Sequence, residues 1–219
     1  MKELFHVFRK QSEIDKIFTQ ATELLQKELE MFKQVTRTLR YSNRCETEIN
    51  IKAEDKKINR FQMDSRRKIF THLAISGAQE LNSGLILMCI LNDVERIGDY
   101  FKNILELSSS HPKKLKGGDI DNNVQQLEKK VISLFETTLQ AMKNQDADTA
   151  RAAMQIHLPV TRNVEKLLNR LLRNRVGGLN PGEAIALTLY LRFLKRIASH
   201  LTNIASSVVN PLDRIGYNE

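Results

Sequence analysis

Asn92, Glu95, Asp99 and Asn103 recur at intervals of three and four residues. On an α-helix that spacing stacks their oxygen-bearing side chains in one narrow stripe. Ile90, Val94, Ile97, Phe101 and Leu105 cover the opposite side, so the stretch from Leu91 to Ile104 reads as an amphipathic helix with a polar outer face. Carboxylates one turn apart can simply be solvated, as most charged helix faces are. They can also bind a hard divalent or trivalent cation through oxygen. Asp55 adds weight to the second reading. It shares a stripe with Ile51, Ile58 and Ile69, and Glu48 and Gln62 stand one heptad before and after it. A carboxylate on an apolar stripe needs a partner, because burying an unpaired charge is costly. A lysine or arginine of a neighbouring helix would serve, and so would a metal shared with Glu95 and Asp99. Spacing alone leaves both open.

The same stretch occurs a second time. At a constant offset of about 100 residues, Leu91 meets Leu191, Arg96 meets Arg196, Ile97 meets Ile197, Asn103 meets Asn203 and Ile104 meets Ile204. Gly77 and Gly177, and Leu87 and Leu187, keep that offset. Such a period is too long for a short-repeat solenoid and suits a duplicated helical bundle.

These residues must be positioned by helices, and the rest of the chain supplies them. Ser12 is suited to capping a first helix, with Asp15 at its positive end, and an apolar rhythm runs from Ile14 to Leu39. Ahead of it, Met1 to Gln11 reads as a lead-in that docks Leu4, Phe5 and Phe8. A second helix is expected from about Cys45 to Ile75, and the third ends near Ser108. Breakers from Ser108 to Pro112 and at Gly117 and Gly118 then interrupt the pattern. Further helices are expected over Ile120 to Lys143, over Asp148 to Arg175 with a kink at Pro159, and over Pro181 to Val209. The expected architecture is all-α: two tandem antiparallel three-helix bundles over residues 1–110 and 119–219, joined by a linker at 111–118.

Composition narrows the function classes. The 219 residues are 41% hydrophobic with a net charge of +8, which favours an acidic partner, an anionic membrane face or a phosphate-rich ligand. The basic residues are spread along helices with few aromatics between them, which argues against nucleic acid. The longest apolar run, Leu85 to Leu91, is far short of the roughly 20 residues that span a bilayer. No signal peptide is legible, and Cys45 and Cys89 lack metal or redox spacing, so a cytoplasmic location is expected.

Val94-Glu95-Arg96-Ile97-Gly98-Asp99-Tyr100, followed by Asn103-Ile104, resembles the signature of the PhoU family of phosphate-uptake regulators. Asp55-Lys56-Lys57-Ile58-Asn59 resembles its upstream element, and the resemblance covers essentially the whole chain. It implies paired three-helix bundles able to hold metal (iron, zinc or nickel) through the acidic motif, with Glu95 and Asp99 as ligands, Asp55 as their partner, and Glu48 and Asn103 as weaker candidates. It also implies a non-enzymatic role exerted on a phosphate transporter, a sensor histidine kinase or both, in peripheral contact with a membrane protein.

The second half departs from the motif. Lys195 and Ser199 stand where Glu95 and Asp99 would recur, and His157 is the counterpart of Asp55 after a two-residue slip. Lysine offers no lone pair to a metal. That half is therefore expected to be either a basic docking patch, built from Arg192, Lys195, Arg196 and Ser199, or purely structural. An accessory subunit of a sodium–phosphate or related anion transporter, with no functional metal, is the second reading. A metal-dependent hydrolase using Glu95 and Asp99 is a distant third, because no catalytic constellation accompanies the acids. Outward apolar residues leave room for a homodimer without singling out an interface.

Overall fold

The computed structural model describes residues 12–111 and 113–217, so the expected docking of Leu4, Phe5 and Phe8 lies outside the described residues. Within them the chain forms six α-helices and no strand: α1 (Glu13–Tyr41), α2 (Ile51–Ser76), α3 (Leu81–Ser110), α4 (Asp121–Asn144), α5 (Ala147–Leu172) and α6 (Pro181–Ser206). Reciprocal caps fix the starts of α1 and α6. Ser12 Oγ accepts from the Asp15 amide at 3.2 Å while the Ser12 amide donates to Asp15 Oδ2 at 3.1 Å. Asn180 and Glu183 repeat the arrangement ahead of Pro181, with both bonds at 2.9 Å. α5 continues through Pro159.

Helices α1, α2 and α3 make one three-helix bundle and α4, α5 and α6 the other; α3 lies against α6 and α1 against α4. One apolar core runs through both. At its centre Phe32 of α1 stacks on Phe135 of α4 with ring centroids 5.6 Å apart, and Phe101 of α3 closes on the pair at 6.1 and 6.4 Å. A polar knot centred on the buried Arg40, Glu128 and Tyr190 reinforces the junction. Arg40 donates through Nε to Glu128 Oε1 at 2.9 Å and through a terminal nitrogen to Asp121 Oδ1 at 2.7 Å. Tyr41 and Tyr190 donate to the same Glu128 carboxylate at 2.8 and 3.1 Å. The stretch around Leu115 is docked as well. Leu115 is buried, its amide donates to the Leu39 carbonyl at 2.8 Å, and its own carbonyl accepts from Arg40.

Two expectations need correction. The second helix begins at Ile51, not near Cys45, because Asn50 provides the cap that Cys45 cannot: its Oδ1 accepts from the Ala53 amide at 3.1 Å. Residues 42–50 instead run along α1, held by Thr38 to the Glu46 carbonyl at 2.9 Å and by the Ile49 amide to Gln34 at 2.9 Å. Glu48 is thus off the helix that carries Asp55. The second correction concerns α3. Because α1, α2 and α6 all pack on it, its polar stripe is not a free outer face: α2 runs alongside, while Leu105 is only half-buried.

Candidate functional site

The apolar register of α1 runs through Ala21, Leu25, Phe32 and Val35, and Glu28 falls within it, fully buried. Asp55 takes the corresponding inward place on α2 beside Ile51 and Ile58 and is 4% exposed. Gly98 of α3 lets these acids approach. A Cβ there would lie 3.3 Å from Ile58, 3.4 Å from Glu28 Oε1 and 3.9 Å from Asp55 Oδ1. Three helices therefore close around one acidic pocket, with Glu95 and Asp99 at its rim on either side of Gly98.

The charges in this pocket are not balanced. Lys102 Nζ lies 3.0 Å from Asp55 Oδ2 and 2.9 Å from Asp99 Oδ1, tying α3 to α2. Arg96, on the solvent side, reaches Asp99 at 3.5 Å and Glu95 at 3.7 Å. Behind Lys102, both oxygens of Glu28 and Oδ1 of Asp55 have no hydrogen-bond partner. Burial, and then the negative charges of Asp55 and Glu95, push the Glu28 carboxyl well above the usual carboxylate range. Burial and then Asp99 raise Glu95 in the same way. The hydrogen bond to Asp99 holds the Lys102 ammonium above its ordinary range, with Asp55 adding to it.

Such an arrangement can bind a cation. The donors are all oxygens, and the partnerless buried carboxylate oxygens are groups that ordinarily find a partner, water or an ion. As folded, no three acidic, histidine or cysteine side chains among the described residues converge in a metal-ligating group. The Lys102 ammonium pairs instead with both Asp55 and Asp99. Of the residues expected from sequence, Asp55, Glu95 and Asp99 share the pocket. Asn103 is half-buried one turn beyond Asp99, and Glu48 lines a separate surface groove with Arg37 and Arg44. Glu28 and Lys102 were missed. The signal for Glu28 was the same as for Asp55, an acid within an apolar stripe; nothing in the local pattern marks Lys102.

The second bundle has no such imbalance. Lys195 pairs with Glu165 at 2.6 Å, and His157 Nε2 lies 3.4 Å from Ser199 and 3.0 Å from Thr161. Burial, then the charge of Lys195, hold the His157 imidazole below its usual range. Between the bundles, Asp93 of α3 accepts from His200 at 2.7 Å and from Asn203 at 3.1 Å, both on α6. None of these contacts was legible from either helix alone. No helix among the described residues is long and apolar enough to cross a membrane.

Comparison with known proteins gives one consistent family. The PhoU domain model matches residues 21–108 and again residues 124–208. A phosphate-specific transport system accessory protein PhoU homolog from a Synechocystis species is 24% identical over 172 residues, covering 77% of this chain and 75% of that protein. The crystal structure of the phosphate transport system regulatory protein PhoU from Streptococcus pneumoniae superposes with a TM-score of 0.78 at 20% identity, covering 90% of this chain and 93% of that one. PhoU from Pseudomonas aeruginosa superposes at 0.73 with 20% identity, covering 92% and 95%.

Proposed function

This chain belongs to the PhoU family, and we propose that it regulates phosphate transport and the signalling coupled to it by binding partner proteins rather than by turnover. The observation that carries the reading is the double match of both bundles to the family domain, together with the likeness to an accessory protein of a phosphate-specific transport system. The partner class is a component of a phosphate transporter or its sensor kinase, met from the cytoplasmic side. A surface suited to such a partner is the outer stripe of α2, where Lys52, Lys56, Arg60, Met63, Arg67 and Phe70 are all exposed. It is basic along its length, with Met63 and Phe70 exposed toward its C-terminal end and Phe70 71% exposed, which fits an acidic surface carrying an apolar recess.

The first bundle's acids fit a hard metal cation. Asp55, Glu95 and Asp99 would hold it, with Glu28 beneath them, and the unpartnered oxygens of Glu28 and Asp55 are the observation that supports the fit. When bound, the ion would supply charge neutralisation and a cross-link between helices. Glu28, Asp55 and Glu95, one on each helix, would fix the relative positions of α1, α2 and α3. The alternative is a docking protein whose metal has no role, and what favours it is Lys102, already paired with Asp55 and Asp99.

Deleting the gene in its source organism and following phosphate uptake and a phosphate-starvation reporter across external phosphate concentrations tests the reading. The reporter is expected to lose its phosphate dependence and to regain it with the wild-type gene but not with Met63→Glu/Phe70→Glu. Unchanged uptake and reporter in the deletion strain would overturn the regulatory role. Full rescue by Glu95→Ala/Asp99→Ala would select the metal-free alternative.

A further inference from the structure

We propose that Lys102 is a built-in counter-cation: its ammonium holds the first bundle's acidic pocket together in the metal-free protein, and a metal ion enters only by displacing it. The inference rests on the metal reading above and concerns what that site does before metal arrives. Lys102 Nζ is within 3.0 Å of carboxylates on two different helices, so it does what a bridging cation would do. It does so incompletely. An ammonium is a compact charge with three donors, and the two carboxylates it reaches leave Glu28 Oε1, Glu28 Oε2 and Asp55 Oδ1 unpartnered in the interior. Glu28 is fully buried, and its carboxylate lies against Gly98 beneath the pocket. A multivalent cation takes roughly six or more oxygen ligands and can draw on more of these carboxylate oxygens than one ammonium can.

The lysine is also placed to leave. Its side chain is 27% exposed on a flexible stem, and swinging outward returns the ammonium to water without unwinding α3. The device is confined to the bundle that has the acids. The position corresponding to Lys102 in α6 is Thr202, which is buried and donates to the Ala198 carbonyl at 2.9 Å. Lys195 of α6 reaches a single carboxylate, Glu165 of α5, so among the described residues the second bundle has no lysine shared between two acids.

Full-length protein stripped with chelator and titrated with Mn²⁺ by calorimetry tests this. Lys102→Met keeps the stem and removes the charge. It should bind one Mn²⁺ at least tenfold tighter than wild type, and adding Asp99→Asn should abolish the gain. Without metal, Lys102→Met should melt below wild type, and saturating Mn²⁺ should restore it. In wild type, Mn²⁺ should raise the rate at which an acetylating reagent labels Lys102, read by mass spectrometry, a measurement that needs no variant to fold. Equal Mn²⁺ affinity in wild type and Lys102→Met, or a labelling rate indifferent to Mn²⁺, would overturn the proposal. If the wild type still binds Mn²⁺ and Asp99→Asn removes it, the metal reading survives that failure. Absence of binding in every variant would remove both.

Discussion

Where the first bundle gathers Glu28, Asp55, Glu95 and Asp99 around one pocket, the second presents Val131, His157, Lys195 and Ser199. Val131 follows Glu28 by the same number of residues as Phe135 follows Phe32, and those two rings stack on each other at the centre of the molecule. The apolar scaffolds correspond closely: Ile97 and Ile197, and Phe32 and Phe135, are all fully buried. What differs is the kind of buried polar atom left without a partner: carboxylate oxygens in the first bundle, and His157 Nδ1 and the Thr138 hydroxyl in the second. In the second bundle an apolar residue replaces the innermost acid, and an imidazole bonded to two hydroxyls replaces the next. In the first, carboxylate oxygens remain without partners. A cost of that kind persists in a folded chain where a ligand or a function offsets it. The comparison teaches that a shared helical frame fixes where side chains meet, while a handful of substitutions decides whether they meet as a cation site or as a closed core.

The frame itself can be broken first. Ile97→Asp and Ile197→Asp should each cost more than about 4 kcal/mol, because each puts a charge into a core with no partner, and both should abolish cooperative melting followed by circular dichroism. A large loss in one and not the other would mean that the two scaffolds are not equivalent. Arg40→Met tests whether they act as one unit. It leaves Glu128 buried without its guanidinium and should cost about 3–5 kcal/mol in denaturant unfolding, with the loss shared by both bundles.

A smaller effect, of opposite sign, sharpens the contrast. Glu28→Gln should raise the stability of chelated protein at neutral pH by about 1–3 kcal/mol, while Val131→Glu should lower it. Because the Glu28 carboxyl is raised in the fold, its own contribution to stability is fully present below the ordinary carboxylate value and is lost as pH rises through its folded value. The advantage of Glu28→Gln should therefore vanish in acid and grow toward neutral pH; a constant advantage would contradict the raised acid. The smallest expected change is none. Lys195→Glu/Ser199→Asp should not create Mn²⁺ binding in the second bundle, since Val131 and His157 still line it; a new calorimetric site would show that the motif acids suffice alone.

The sequence by itself determined the helices, their order and the identity of the motif. Apolar side chains at helical spacing leave one way to bury them, and Ser12, Asn180 and Pro181 punctuate the ends through bonds made within a few residues. It also exposed Asp55, because an acid in an apolar stripe contradicts its surroundings; Glu28 carried the same contradiction. Local chemistry likewise explains the start of α2, where Asn50 rather than Cys45 has the side chain to cap. What only the tertiary structure decided are relations between helices. Lys102 looks like any surface lysine until α2 brings Asp55 to it, and Asp93 like any helical acid until α6 supplies His200 and Asn203. The stripe of Glu95 and Asp99 reads as outward on an isolated helix. It lies along α2 because α3 is packed on three sides, a property of the assembled bundles that no helical periodicity contains.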